Sequence, residues 1–135
     1  MVEICVTVLI VVILTGIAAP IYVKSLEQGH LDMAAGTLKS ICSAQRVYWL
    51  SNESFCNDLT TLKTLDLVDV SIPTVASGNE KYVYTIQLAD DETFEVTATR
   101  ANSTSWTGTI TIDETGELTG TVSSASQGTL TPTSH

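Results

Sequence analysis

The chain has 135 residues, with 15 acidic against 6 basic side chains and a net charge of −9. Once its apolar N-terminal stretch is set aside, that length holds one small domain. A surface so short of Lys and Arg excludes a broad nucleic-acid or anionic-membrane interface, which would need clustered cations.

"MVEICVTVLIVVILTGIAAPIY" opens the chain. From Ile4 to Ile21 eighteen residues carry no charge, and at about 1.5 Å of helical rise each they reach about 27 Å, enough to cross a membrane. A cleavable secretory signal would begin with basic residues and have a shorter apolar core, whereas this stretch begins with Glu3 and meets no Lys before Lys24. Residues 1–23 therefore read as a hydrophobic membrane anchor. Glu3 and Pro20 are not needed for that role. A carboxylate at mid-membrane costs about 2.5–3.5 kcal/mol, and less near an end, so Glu3 either lies solvated at the interface or has a partner. Pro20 lacks an amide hydrogen and clashes with the carbonyl of Gly16, itself a weak helix former. "TGIAAP" is thus the place where the helix kinks or loosens.

Beyond the anchor, Leu31, Ala34, Leu38, Ile41, Gln45 and Tyr48 recur at spacings of three and four, with Glu27, Asp32, Lys39 and Arg46 between them. The spacing predicts that one helix continues through an amphipathic half, 24–50, and lays a single stripe on a partner. "SNES" then supplies turn-forming residues. In the connecting segment 51–81, "NDLTTLKTLDLV" suits a short helix capped by Asn57 or Asp58, and "SIPTVASGNEK" reads as loop. From Tyr82 the period becomes two: Tyr82, Tyr84, Ile86 and Leu88 alternate with Val83, Thr85 and Gln87, "ADDE" turns the chain into "TFEVTATR", and "WTGTITID" and "ELTGTV" follow across "ETG". The prediction over 82–122 is an antiparallel meander with short turns. Residues 123–135, "SSASQGTLTPTSH", read as a Ser/Thr-rich solvated tail whose density also suits O-glycosylation. "NES" and "NST" match the N-glycosylation pattern, a motif frequent by chance.

Cys5, Cys42 and Cys56 form no metal-binding set: there is no CxxC pair, and the only histidines are His30 and His135. Neither a metal nor a cofactor is expected. With Cys5 inside the apolar run, Cys42 and Cys56 are left to pair if the domain lies outside the cytoplasm, closing a short loop worth about 3 kcal/mol. The acids of "ADDET" suit a solvated hairpin turn better than a Ca²⁺ site. His30 and Asp32 have no nucleophile arranged with them, so no enzymatic activity is expected. Tyr48, Trp49, Tyr82, Tyr84 and Trp106 read as core or interface aromatics.

"VEICVTVLIVVILTGIAAPIY" resembles the N-terminal signature of the type IV pilins and the related pseudopilins of type II secretion, in which a glutamate precedes a proline by seventeen residues, the spacing of Glu3 and Pro20, with aromatic Tyr22 two further on. "AAGTLKSICSAQRVYWLSNESF" is similar to that family's helix end, and "FEVTATRANSTSWTGTITIDETGELTG" to the closing strands of many pilin heads. The resemblance implies an α+β pilin fold, with one long N-terminal helix packed on a small antiparallel sheet. It implies a structural subunit of a helical filament, the major pilin of a type IV pilus, serving adhesion, motility or surface attachment. Glu3 would set register against a neighbour's amino terminus, and the helix would unwind between Gly16 and Pro20 on assembly. The subunit would rest in a bacterial inner membrane, then join an extracellular homopolymer, served by a prepilin peptidase, an assembly platform and ATPase motors. No phosphate-binding loop of its own is present to drive extension. The family's precursor has a basic leader ending in glycine, and its new terminus is methylated. That register implies either two further residues before Met1 in the mature protein or an unusual start at Met1 itself, and on both readings Met1 is a poor candidate for that modification. Two other readings stand beside this one: a pseudopilin, which shares every feature above, and a single-pass membrane protein with a ligand-binding periplasmic head, which would require neither Glu3 nor its fixed distance from Pro20.

Overall fold

The structure, a computed structural model, describes residues 1–133. Its first element, α1, runs without a break over Val2–Asn52. Residues 2–26 are all exposed, and from Glu27 onward one stripe is buried, through Leu31, Ala34, Ala35, Leu38, Ile41, Cys42 and Gln45. That stripe repeats at three and four, so it stays on one side of a 3.6-residue helix. Glu53 ends α1 by taking a left-handed conformation (φ 55°), from which its amide reaches the carbonyl of Trp49 at 2.8 Å. Pro20 sits inside the continuous helix. No unwinding is seen between it and Gly16.

The second helix, α2, spans Leu59–Thr64 and is capped by Asp58, whose carboxylate accepts the Thr60 amide at 3.0 Å. It folds Leu59 and Leu62 under the connecting segment. Five strands follow in chain order: β1 Tyr82–Ala89, β2 Phe94–Arg100, β3 Thr107–Asp113, β4 Leu118–Ser124 and β5 Gly128–Leu130. They pair antiparallel in that same order. Alternation puts Phe94, Val96, Ala98, Ile110, Ile112 and Val122 on the face that meets α1. The opposite face is polar, with Thr85, Thr97, Thr111 and Thr119 aligned across four strands. The fold is α+β, with the long helix packed on one side of the sheet, a pilin-like layout.

Two expectations are corrected here. The tail is not wholly solvated: β5 pairs with β4, Leu130 is buried, and Asp32 accepts the backbone amide and the hydroxyl of Thr133 at 3.2 and 2.6 Å. Its last two residues, including His135, lie outside the described residues. Cys42 and Cys56 are separate, buried thiols. Each donates to a different carbonyl, Cys42 to Asp113 at 3.8 Å and Cys56 to Asp58 at 3.1 Å. The work expected of a disulfide falls instead to Gln45, fully buried, whose side-chain amide clips both backbone groups of Cys56 at 2.7 and 2.8 Å. A carboxamide can hold a loop to a helix from both sides because it carries donor and acceptor together.

Candidate assembly surface

The residues singled out as assembly groups, Glu3, Gly16, Pro20 and Tyr22, all lie on the exposed first half of α1. This helix is long and apolar enough to cross a membrane, and its most apolar window is not buried against the rest of the chain. Its polar side chains are arranged for such a setting. Thr7 donates to the carbonyls of Glu3 and Ile4 at 3.0 and 2.9 Å, and Thr15 to those of Val11 and Val12 at 2.9 and 3.0 Å. Each hydroxyl is satisfied within its own helix, as the hydrocarbon of a bilayer demands. Glu3 differs: no partner for its carboxylate occurs among the described residues. Met1 is exposed beside it, with its carbonyl accepting the Cys5 amide at 3.2 Å.

Beyond its own turns of helix, a Cβ at Gly16 would meet no atom of the chain, and the same holds at Gly29 and Gly36. Glycine inside a helix costs about 1 kcal/mol relative to alanine. Nothing within this chain requires that cost at any of the three. Gly29 and Gly36 belong to a seam that residue-by-residue reading of the sequence missed: Tyr22, Leu26, Gly29, Met33, Gly36, Ser40, Ser43, Val47 and Leu50, spaced alternately by four and three. Every one is exposed and none is charged. The seam lies on the side of α1 away from the sheet, because the buried stripe uses the remaining positions of the same turns. The visible signal was the heptad spacing, masked by the small residues at its middle.

At the base of the head, Glu27 and Arg100 form an ion pair across α1 and β2, with Nε–Oε1 at 2.5 Å and Nη2–Oε2 at 3.0 Å. Both side chains are almost wholly buried. Arg100 also donates to the carbonyls of Lys81 and Ala101 and stacks over the Tyr82 ring, 5.6 Å from its centre. Burial is the main cause that pushes the Tyr82 phenol well above its ordinary value, with the Glu27 charge adding to it. Gln28 reaches Asp32 and the carbonyl of Thr131 at 3.0 and 3.1 Å, strapping the C-terminal segment to α1 just above the apolar half.

The upper end is acidic. Asp90 organises the β1–β2 hairpin, its Oδ1 accepting the amides of Glu92 and Thr93 at 2.9 and 2.7 Å. The hairpin is held against the end of α1 by Trp49 Nε1 on the Asp91 carbonyl and by the Phe55 amide on the Asp90 carbonyl, both at 2.9 Å. Asp90 is thus occupied by its own turn and leaves little for a metal. Among the described residues no three His, Cys, Asp or Glu side chains gather as a metal would require. Asn102 uses its amide nitrogen on the carbonyls of Gly78 and Glu80 at 2.9 and 3.1 Å, tying the connecting loop to the β2–β3 turn.

The arrangement can anchor a folded head to an apolar layer and offer a long uncharged helix face to another helix. Comparison of the chain with family models, with curated proteins and with solved structures finds no match.

Proposed function

We propose that this chain is a pilin: the structural subunit of an extracellular helical filament of the type IV pilus kind, held in the inner membrane by α1 before assembly. The observation that carries this reading is the division of α1. Its second half is committed to the sheet, while the first half, Glu3 included, buries nothing within its own chain. Such a helix needs an outside partner, first lipid and then other copies. Polymerisation moves apolar helices from lipid into a bundle of their own kind, and a repeated head-to-tail contact whose rotation does not close yields an open helical polymer.

In that bundle the Glu3 carboxylate meets the positive amino terminus of a neighbour. A pair in a dry core is retained for register more than for net stability. Gly16 and Pro20 frame the turn of helix that is cheapest to loosen, because the proline leaves the Gly16 carbonyl without a donor. The uncharged seam from Tyr22 to Leu50 continues the packing surface upward beside the heads. A prepilin peptidase, an assembly platform and ATPase motors would process and move the subunit, since extension requires work this chain does not supply.

Glu3→Ala tests the reading. The variant is expected to accumulate in the membrane at the wild-type level while surface filaments, counted by electron microscopy of sheared material, fall at least about tenfold, the factor that 1.4 kcal/mol of lost contact produces. Filaments of undiminished number would overturn the ion-pair account, and a wild-type cell with no filaments of this chain would overturn the pilin reading.

A further inference from the structure

The upper end of the head is rich in exposed carboxylates, whereas those of the lower end are engaged, Glu27 with Arg100, Asp32 with Thr133 and Glu80 with the Gly78 amide. The upper end, where α1, the β1–β2 hairpin and the β3–β4 turn finish, gathers Glu53, Asp90, Asp91, Glu92, Glu114 and Glu117. The lower end carries a cleft of about 270 Å³ between α1, the connecting loop and β1. It is lined by His30, Ser71, Lys81 and Tyr82 among others, and no carboxylate is among its lining residues. That is unusual in a chain with 15 acids. Lys81 is exposed, and neither its ammonium nor the His30 imidazole has a partner among the described residues. Tyr82 is only 4% exposed, yet its hydroxyl makes no hydrogen bond. The cleft therefore offers an ammonium and an imidazole, with no carboxylate among its own lining residues to answer them.

We propose that this cleft receives the acidic hairpin of a second copy, Asp91 and Glu92 pairing with Lys81 and His30, so that copies join tip to base. The hairpin suits the role. Asp90 and Trp49 hold its backbone rigid, while the Asp91 and Glu92 side chains are exposed and without partners among the described residues. Trp49 fixes its height on α1 nineteen residues above His30, about 28 Å at helical rise. A copy displaced by that distance sets its cleft on the hairpin below and lays its own apolar segment beside the lower head. One contact then uses two different surfaces, which makes it heterologous and open. Charge complementarity of this kind fixes register and steers encounter. The inference rests on the filament reading and adds the head-to-head contact to it.

The test uses the full-length chain in cells. Lys81→Glu and the pair Asp91→Lys/Glu92→Lys are each expected to lower filament yield about tenfold, and their combination to restore it to within about twofold, as a direct pairwise coupling requires. Unchanged melting of the detergent-solubilised variants separates lost contact from lost fold. A second readout is independent of yield: in a Cys5→Ser background, with Lys81→Cys and Asp91→Cys in one chain and diamide as oxidant, a disulfide ladder beyond the dimer is expected, absent from either single variant. Wild-type filaments with neither rescue nor ladder overturn the contact while leaving the pilin reading intact. If the wild type forms no filaments, that reading fails, and the ladder in membrane vesicles still decides the contact. Loss of binding to phosphatidylglycerol vesicles in Lys81→Glu at full filament yield assigns the cleft to a lipid phosphate and overturns the proposal.

Discussion

Arg100 is the side chain on which the base of the head depends. It answers the Glu27 charge, two backbone carbonyls and the Tyr82 ring at once. Removing one member of a buried pair leaves the other uncompensated, so Arg100→Ala is expected to lower the unfolding free energy by about 3–5 kcal/mol, whereas Glu27→Met with Arg100→Met should cost much less. Denaturant unfolding of both variants checks this, and equal losses would show that the charge itself is not at issue. Surface carboxylates act differently. Asp58 and Asp90 are held below the ordinary carboxylate value chiefly by the amides of Thr60 and Thr93, and Asp69 and Asp113 chiefly by the hydroxyls of Ser71 and Thr115. Each takes up its proton later in the folded chain than in the unfolded one. Their contribution is therefore complete above the unfolded value, near pH 3.9, and is lost as pH falls through the folded values. Melting temperature should be flat from about pH 7 to about pH 5 and decline below about pH 4. A decline that begins near neutrality would implicate other groups.

At the scale of elements, the β3–β4 pair shows what a strand pattern hides. Gly108 and Gly120 both have positive φ, 145° and 98°, and a Cβ at either would lie 2.2 or 2.3 Å from a carbonyl of the facing strand, that of Thr121 or Thr109. The two glycines let the strands approach reciprocally. Gly108→Ala is expected to destabilise the head by about 1–3 kcal/mol through backbone strain, read by thermal unfolding, with Gly128→Ala milder because no atom stands near its Cβ. The strand periods of β1 to β4 were legible, since alternation with Val, Ile, Thr and aromatics is dictated locally. β5 was not: three residues with one apolar side chain, Leu130, make no period. Nor was the pairing of Glu27 with Arg100, because seventy-three positions separate them and only the closed sheet brings them together. Cys42 and Cys56 misled for the same reason. Their spacing allowed a bridge, but α1 and the following loop direct the thiols to different carbonyls.

For the whole molecule, the decisive fact is that burial begins only at Glu27. The buried residues of α1 all lie above that level, and residues 1–26 are exposed. Deleting residues 1–23 should therefore yield a soluble, monomeric head that melts within a few degrees of the full chain in detergent, as size-exclusion chromatography and circular dichroism would show; aggregation of the truncated head would mean that the seam from Leu26 to Leu50 associates without the apolar half. That outcome has a physical measure, since exposed contiguous apolar patches on a monomer rarely exceed a few hundred Å². The sequence by itself determined the length and polarity of α1, the place of Glu3 and Pro20, the four main strands and the acidity of the head, because all of these follow from local composition and period. Only the tertiary structure decided which face of α1 is left uncovered, which charges are buried together and where the free ones converge. Those outcomes depend on how distant segments close around one another, and no local pattern contains that information.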